Sequence, residues 1–148
     1  MLNKKDFENF LDTKESHIEY FIGELKKNGI EGNTLDEYEK KIDEIEYFLK
    51  DSFSQYSEQK KYHIRLSFWA FFLHLLMNHL GGSVKLAPKN DYCEGTPQLV
   101  DFGFKYDKKG RKKWMAIGVD SWFNGVIEEK LLGSLQDTYN HVIKFYSN

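Results

Sequence analysis

Residues 58–80, EQKKYHIRLSFWAFFLHLLMNHL, decide the fold. From Leu66 to Met77 only Ser67 and His74 interrupt the apolar run, so the apolar residues Leu66, Phe68, Trp69, Phe71, Phe72, Leu73, Leu75, Leu76 and Met77 cover nearly the whole circumference of a helix. A helix apolar on all sides belongs at the centre of a structure, enclosed by other elements. Twelve residues are too few to span a bilayer, which needs about 20. Gly81-Gly82 supplies the left-handed stop that ends the helix.

What surrounds the central helix follows from the flanking periodicities. Phe7, Phe10, Leu11, Ile18, Phe21, Ile22 and Leu25 recur at helical spacings, predicting an amphipathic helix over about 4–28 with Asn3 as cap, Gly29 as stop and a break or kink at Gly23. Thr34 and Glu37 form a capping-box pattern, followed by Leu35, Tyr38, Ile42, Ile45, Leu49 and Tyr56 on one face. No Gly or Pro lies between Asn33 and Leu80, so one helix of almost 50 residues is allowed; the Ser52, Ser54, Ser57 cluster favours a bend near 57 and two helices, 34–57 and 58–80.

After Gly82 the period changes from 3.6 to 2. Val84 and Leu86 mark a short strand, 88–97 reads as a loop, and Val100, Phe102, Phe104 and Tyr106 alternate with polar residues in a second strand. A turn at Lys108-Lys109-Gly110 leads to a third strand over 113–119, with Trp114 on the same aromatic face, expected to pack on the central helix. Helical turns around 122–132 and a closing helix begun by Ser134 and Asp137 complete the chain. The expectation is one α+β domain over 1–148: an N-terminal helical hairpin or bundle, the central apolar helix, a small antiparallel sheet of about three strands and a C-terminal helix.

Composition bounds the function. The chain has 148 residues, of which 24 are aromatic, and a net charge of −2, which argues against a wholesale polyanion or membrane-surface binder. Its halves differ: residues 1–60 carry a net −6 and residues 61–148 a net +4. Cys93 is the sole cysteine, which excludes an intramolecular disulfide and a Cys-pair zinc site and suits a reducing cytoplasm. The N-terminus has no apolar signal-like run, again pointing to a cytoplasmic protein, and no cofactor is implied.

Each candidate for chemistry has a plain structural account. His74 and His79 stand five apart, about 140° around a helix, and cannot chelate one ion from the same turn; His74 reads as a hydrogen-bonded core histidine and His79 as a helix-end residue. Cys93 has acidic sequence neighbours, which do not activate a thiol. Asp101, Asp120, Glu128 and Glu129 carry no metal or acid/base spacing and read as helix caps and surface charges.

Two charge runs remain. Residues 31–51 carry a net −5, and Glu37, Asp43, Glu44 and Asp51 are the acidic face on which a basic protein partner would dock; the 88–97 loop is a second place for such contact. Residues 105–113 carry a net +5, and Lys108, Lys109, Arg111 and Lys112 with Trp114 form the alternative, a small nucleic-acid patch on a β-ribbon.

Without catalytic signatures, the expectation is a non-enzymatic protein-binding domain. The chain loosely resembles the small cytoplasmic bacterial proteins encoded beside toxins, prophages or mobile elements. That resemblance implies an immunity- or antitoxin-like protein or a phage-type inhibitor. A small hydrolase assembled from distant histidines and carboxylates is the third reading, and it needs a deep pocket where such groups converge. Tyr92, Trp114 and Trp122 are the aromatic residues expected at a surface where a partner binds.

Overall fold

A computed structural model describes residues 1–147 as α1 (Lys4–Asp12), α2 (Lys14–Lys27), α3 (Leu35–Tyr38), α4 (Ile42–Ser52), α5 (Glu58–Leu80), β1 (Ser83–Leu86), β2 (Pro97–Val100), β3 (Ile117–Gly118), α6 (Val119–Ile127) and α7 (Leu135–Tyr146). The α+β class with a three-stranded antiparallel sheet is as the sequence predicts. No described helix is long and apolar enough to cross a membrane.

The central helix is where its composition puts it. Phe68, Ala70, Phe71, Phe72, Leu73, Leu75 and Leu76 of α5 are all fully buried. Phe21 of α2 meets Phe68 and Phe71, Tyr38 meets Phe71, and Phe123 of α6 meets Phe68, with most of these rings edge to face. Helices therefore enclose α5 on several sides, each contributing aromatic contacts beyond simple area burial. Ser57 caps it by accepting from the Lys60 N–H, and Gly81 at φ 67° ends it.

The first predicted helix breaks at a place other than the one expected, and the second has a break besides the expected one. The first stops at Thr13, whose hydroxyl donates to the Asn9 carbonyl, and resumes at Lys14; Gly23 lies inside an unbroken α2. The second divides as well. Thr34 and Glu37 do form their capping box, but α3 ends at Tyr38, and the chain turns through Glu39–Lys41 before α4. There the Gln136 side chain of α7 accepts from the Ile42 N–H and donates to the Glu39 carbonyl, so a distant residue satisfies the backbone groups that the break exposes. The bend near the serine cluster is present, as a 3-10 turn over Phe53–Gln55.

The sheet is smaller than the alternation suggests. β1 pairs with β2 from Ser83↔Val100 to Leu86↔Pro97, so Pro97 begins a strand instead of ending the loop. β2 stops at Val100, because Asp101 and Gly103 take left-handed φ angles of 53° and 88°. The strand expected through Tyr106 is thereby lost, and β3 shrinks to two residues paired with Leu99 and Gln98. Beyond the sheet, residues 104–114 project as a ribbon held by the Tyr106↔Lys112 bridge and the Lys113 N–H to Lys105 carbonyl hydrogen bond of 2.8 Å.

That projection overturns the expectation of a hairpin packed on α5. Phe102 alone of its aromatic residues is fully buried; Phe104, Tyr106 and Trp114 are exposed. The reverse holds for Trp122, expected at an edge and found buried. His74 is half-buried and makes no side-chain hydrogen bond among the described residues.

Candidate binding surfaces

Buried charge is accounted for internally. Asp120 was expected as a surface cap, yet it is buried at the start of α6, where its carboxylate accepts two hydrogen bonds from Arg65 at 2.7 Å each and one from Trp69 Nε1 at 2.8 Å. Glu24 is buried against Lys60 at 2.7 Å, and Glu46 accepts from the Leu135 N–H at 2.7 Å while pairing with Lys50 at 2.8 Å. Each of these acids ties one element to another or closes a helix end, the condition under which burying a carboxylate is tolerable. None is free to act on a ligand.

The clefts hold little that resembles a reaction centre. His17 and His63 share a shallow cleft of about 340 Å³ with Asp6 and Asn9. Their rings lie 5.9 Å apart edge to face, with His63 stacked 3.7 Å over Tyr20, and among the described residues neither imidazole hydrogen-bonds to a carboxylate. Burial lowers the His17 pKa, and repulsion from His63 adds to it. A general base needs an orienting partner within hydrogen-bond reach, and this pair lacks one.

Cys93 is buried beneath Gly118, and burial pushes its thiol pKa up, the opposite of what a nucleophile needs. Asp101 is exposed beside Lys112 at 3.7 Å, and Glu128 pairs with Lys130 at 3.5 Å. Among the described residues no three histidine, cysteine, aspartate or glutamate side chains are grouped to hold a metal ion.

Surfaces are more informative. On α4 the buried stripe Ile42, Ile45, Phe48, Leu49 faces the core, which turns Asp43, Glu44, Tyr47 and Asp51 outward. Asp43, Tyr47 and Asp51 are one turn apart, and Tyr47 is 71% exposed between the carboxylates. None of these three acids has an ion-pair partner among the described residues. They border a groove of about 420 Å³ whose far wall is Asn28, Gly29 and Ile30 after α2.

Glu37 stands apart from this stripe. Its carboxylate accepts the Asn33 and Thr34 N–H groups at the start of α3, which lowers its pKa and occupies it locally. The acidic face therefore narrows to Asp43, Glu44 and Asp51. Tyr47 is the member that charge counting missed; its position off the buried stripe is the signal that marks it.

The second surface has the opposite sign. Asp107 accepts from the Lys109 and Arg111 N–H groups at 2.8 and 2.9 Å and from Arg111 Nε at 2.8 Å, so one carboxylate shapes the whole turn. Lys108, Lys109 and Lys113 are left without an ion-pair partner among the described residues. Around them Phe104, Tyr106, Trp114 and Met115 are 52%, 56%, 40% and 76% exposed. Phe145 of α7 extends the patch, with Lys105 Nζ 3.9 Å from its ring centre. In the 88–97 loop Tyr92 is exposed but anchored, its hydroxyl accepting from the Gly118 N–H at 3.2 Å.

No known family model, curated protein or solved structure matched the chain.

Proposed function

We propose that the protein is a non-enzymatic protein-binding domain that docks through the outer face of α4 on a basic partner, in the manner of an immunity or antitoxin-like protein or a phage-type inhibitor. The carrying observation is Tyr47, 71% exposed among three acids that have no ion-pair partner among the described residues. Among those residues the buried carboxylates Glu24, Glu46 and Asp120 are each paired, whereas Asp43, Glu44 and Asp51 are not. A tyrosine at the centre of a charged rim is the chemistry of an interface anchor: large contact area at low entropic cost, with a hydroxyl for a polar partner. The surrounding acids would speed encounter with a positively charged surface and reject acidic competitors.

The test is photo-crosslinking in the native host from a reactive amino acid placed at position 47, with the same group at exposed Glu8 of α1 as control. The expected result is a discrete adduct with a basic protein from position 47 alone, abolished by combined Asp43→Lys, Glu44→Lys and Asp51→Lys. Equal labelling from both positions, or an adduct indifferent to charge reversal, would refute the assignment.

A further inference from the structure

The ribbon 104–115 is a second surface whose chemistry differs from that of α4. Extending the register of the Tyr106↔Lys112 bridge places Phe104 opposite Trp114 and Lys105 opposite Lys113. In a ribbon alternate pairs share a face, so Phe104, Tyr106, Lys112 and Trp114 lie on one side and Lys105 and Lys113 on the other. The aromatic side is left uncovered, with all three rings at least two-fifths exposed.

Two features keep that side presented. Phe104 N–H donates to the Tyr146 carbonyl at 2.8 Å, and Phe102 is packed edge to face on Tyr146 at 4.7 Å, which clamps the base of the ribbon to the end of α7. At the tip, Asp107 and Gly110, the latter at φ 79°, close the turn and point the lysines outward. A ribbon clamped at both ends loses little freedom when a ligand binds.

We infer that this ribbon is a binding site for single-stranded nucleic acid, with Trp114, Tyr106 and Phe104 as stacking platforms and Lys108 and Lys109 at the tip as phosphate contacts. The observations favour this ligand over an acidic protein because a row of exposed rings along one face, ending at a tip of ammonium groups without ion-pair partners among the described residues, offers stacking faces for bases beside contacts for phosphate. A duplex hides its base faces, so single strands are preferred. The lysines make compact point contacts and the sole arginine of the turn is committed to Asp107, so little sequence discrimination is expected. The site is remote in sequence and opposite in charge from the α4 face, and it stands or falls independently of it.

Fluorescence anisotropy with labelled oligo-uridine, oligo-thymidine and a duplex of equal length tests the inference. Binding to both single strands should exceed duplex binding. Engaging about two phosphates should give a log–log salt slope of roughly −1.4. Trp114→Ala should weaken binding roughly tenfold or more, while Trp114→Phe, which keeps a stacking face, retains most of it. Combined Lys108→Ala and Lys109→Ala should flatten the salt slope, and charge reversal at Asp43, Glu44 and Asp51 should leave the ribbon's stacking dependence intact.

Circular dichroism of each variant confirms that it is folded. Absence of binding at low salt, binding insensitive to Trp114, a preference for duplex, or equal affinity for poly-glutamate would each overturn the assignment.

Discussion

The aromatic residues of α5 and those of the 104–114 ribbon look alike as sequence and meet opposite fates. Phe68, Phe71 and Phe72 sit in a helix with α2, α6 and α7 around it, so every side has a neighbour to bury it. The ribbon's rings alternate as a buried strand's would, yet the sheet that should support them ends at Val100. Aromatic content thus predicts burial only where the topology supplies a cover. Where it does not, the same residues become contact surface.

The comparison can be broken most forcefully at Trp69, which is both packed against Phe10 and hydrogen-bonded to Asp120. Trp69→Ala should cost about 3–5 kcal/mol in urea unfolding, through the cavity and the lost donor to a buried carboxylate. Asp120→Ala should cost about 2–3 kcal/mol, less than a fully buried pair because Arg65 keeps one side in water. Gly118→Ala belongs to the same class, since a Cβ there would overlap the Cys93 sulfur; a loss of about 1–3 kcal/mol is expected, partly recovered in the Cys93→Ala background.

Smaller effects sharpen the contrast. His17 has a pKa lowered by burial, so the unfolded chain binds its proton first as pH falls. Its contribution to stability is therefore complete above the unfolded value near 6.5 and declines as pH drops below it. Unfolding midpoints measured from pH 8 to pH 5 should fall less steeply in His17→Gln than in the wild type. At the small end, Tyr47→Ala should change stability by no more than about 0.5 kcal/mol, as befits a side chain 71% exposed on the outer face of α4.

Much of the fold is legible in the sequence, for physical reasons that also explain the failures. α5, its Ser57 and Gly81 boundaries, the Thr34–Glu37 box and the Asn3 and Ser134 caps are local signals, and local chemistry decides them. The break between α3 and α4 is not local, because Gln136, far along the chain, satisfies the freed backbone groups. The truncated sheet depends on left-handed Asp101, a conformation that aspartate tolerates but does not announce.

The candidate surfaces divide in the same way. Net charge located both, but it could not tell that Glu37 and Asp107 are used up by their own backbone neighbours. Nor could alternation tell that Phe104 and Tyr106 face water while Asp120 lies inside.

The division between aromatic residues that hold the fold and those that serve contact is tested most directly by urea unfolding of the combined Phe104→Ser, Tyr106→Ser, Trp114→Ser variant. A change within about 1.5 kcal/mol is expected, because these rings are largely exposed and, among the described aromatic pairs, Trp114 alone of the three meets a buried ring, Phe102. A loss of the roughly 4 kcal/mol or more that marks the removal of core aromatics would show that the ribbon packs as core and that the account is wrong.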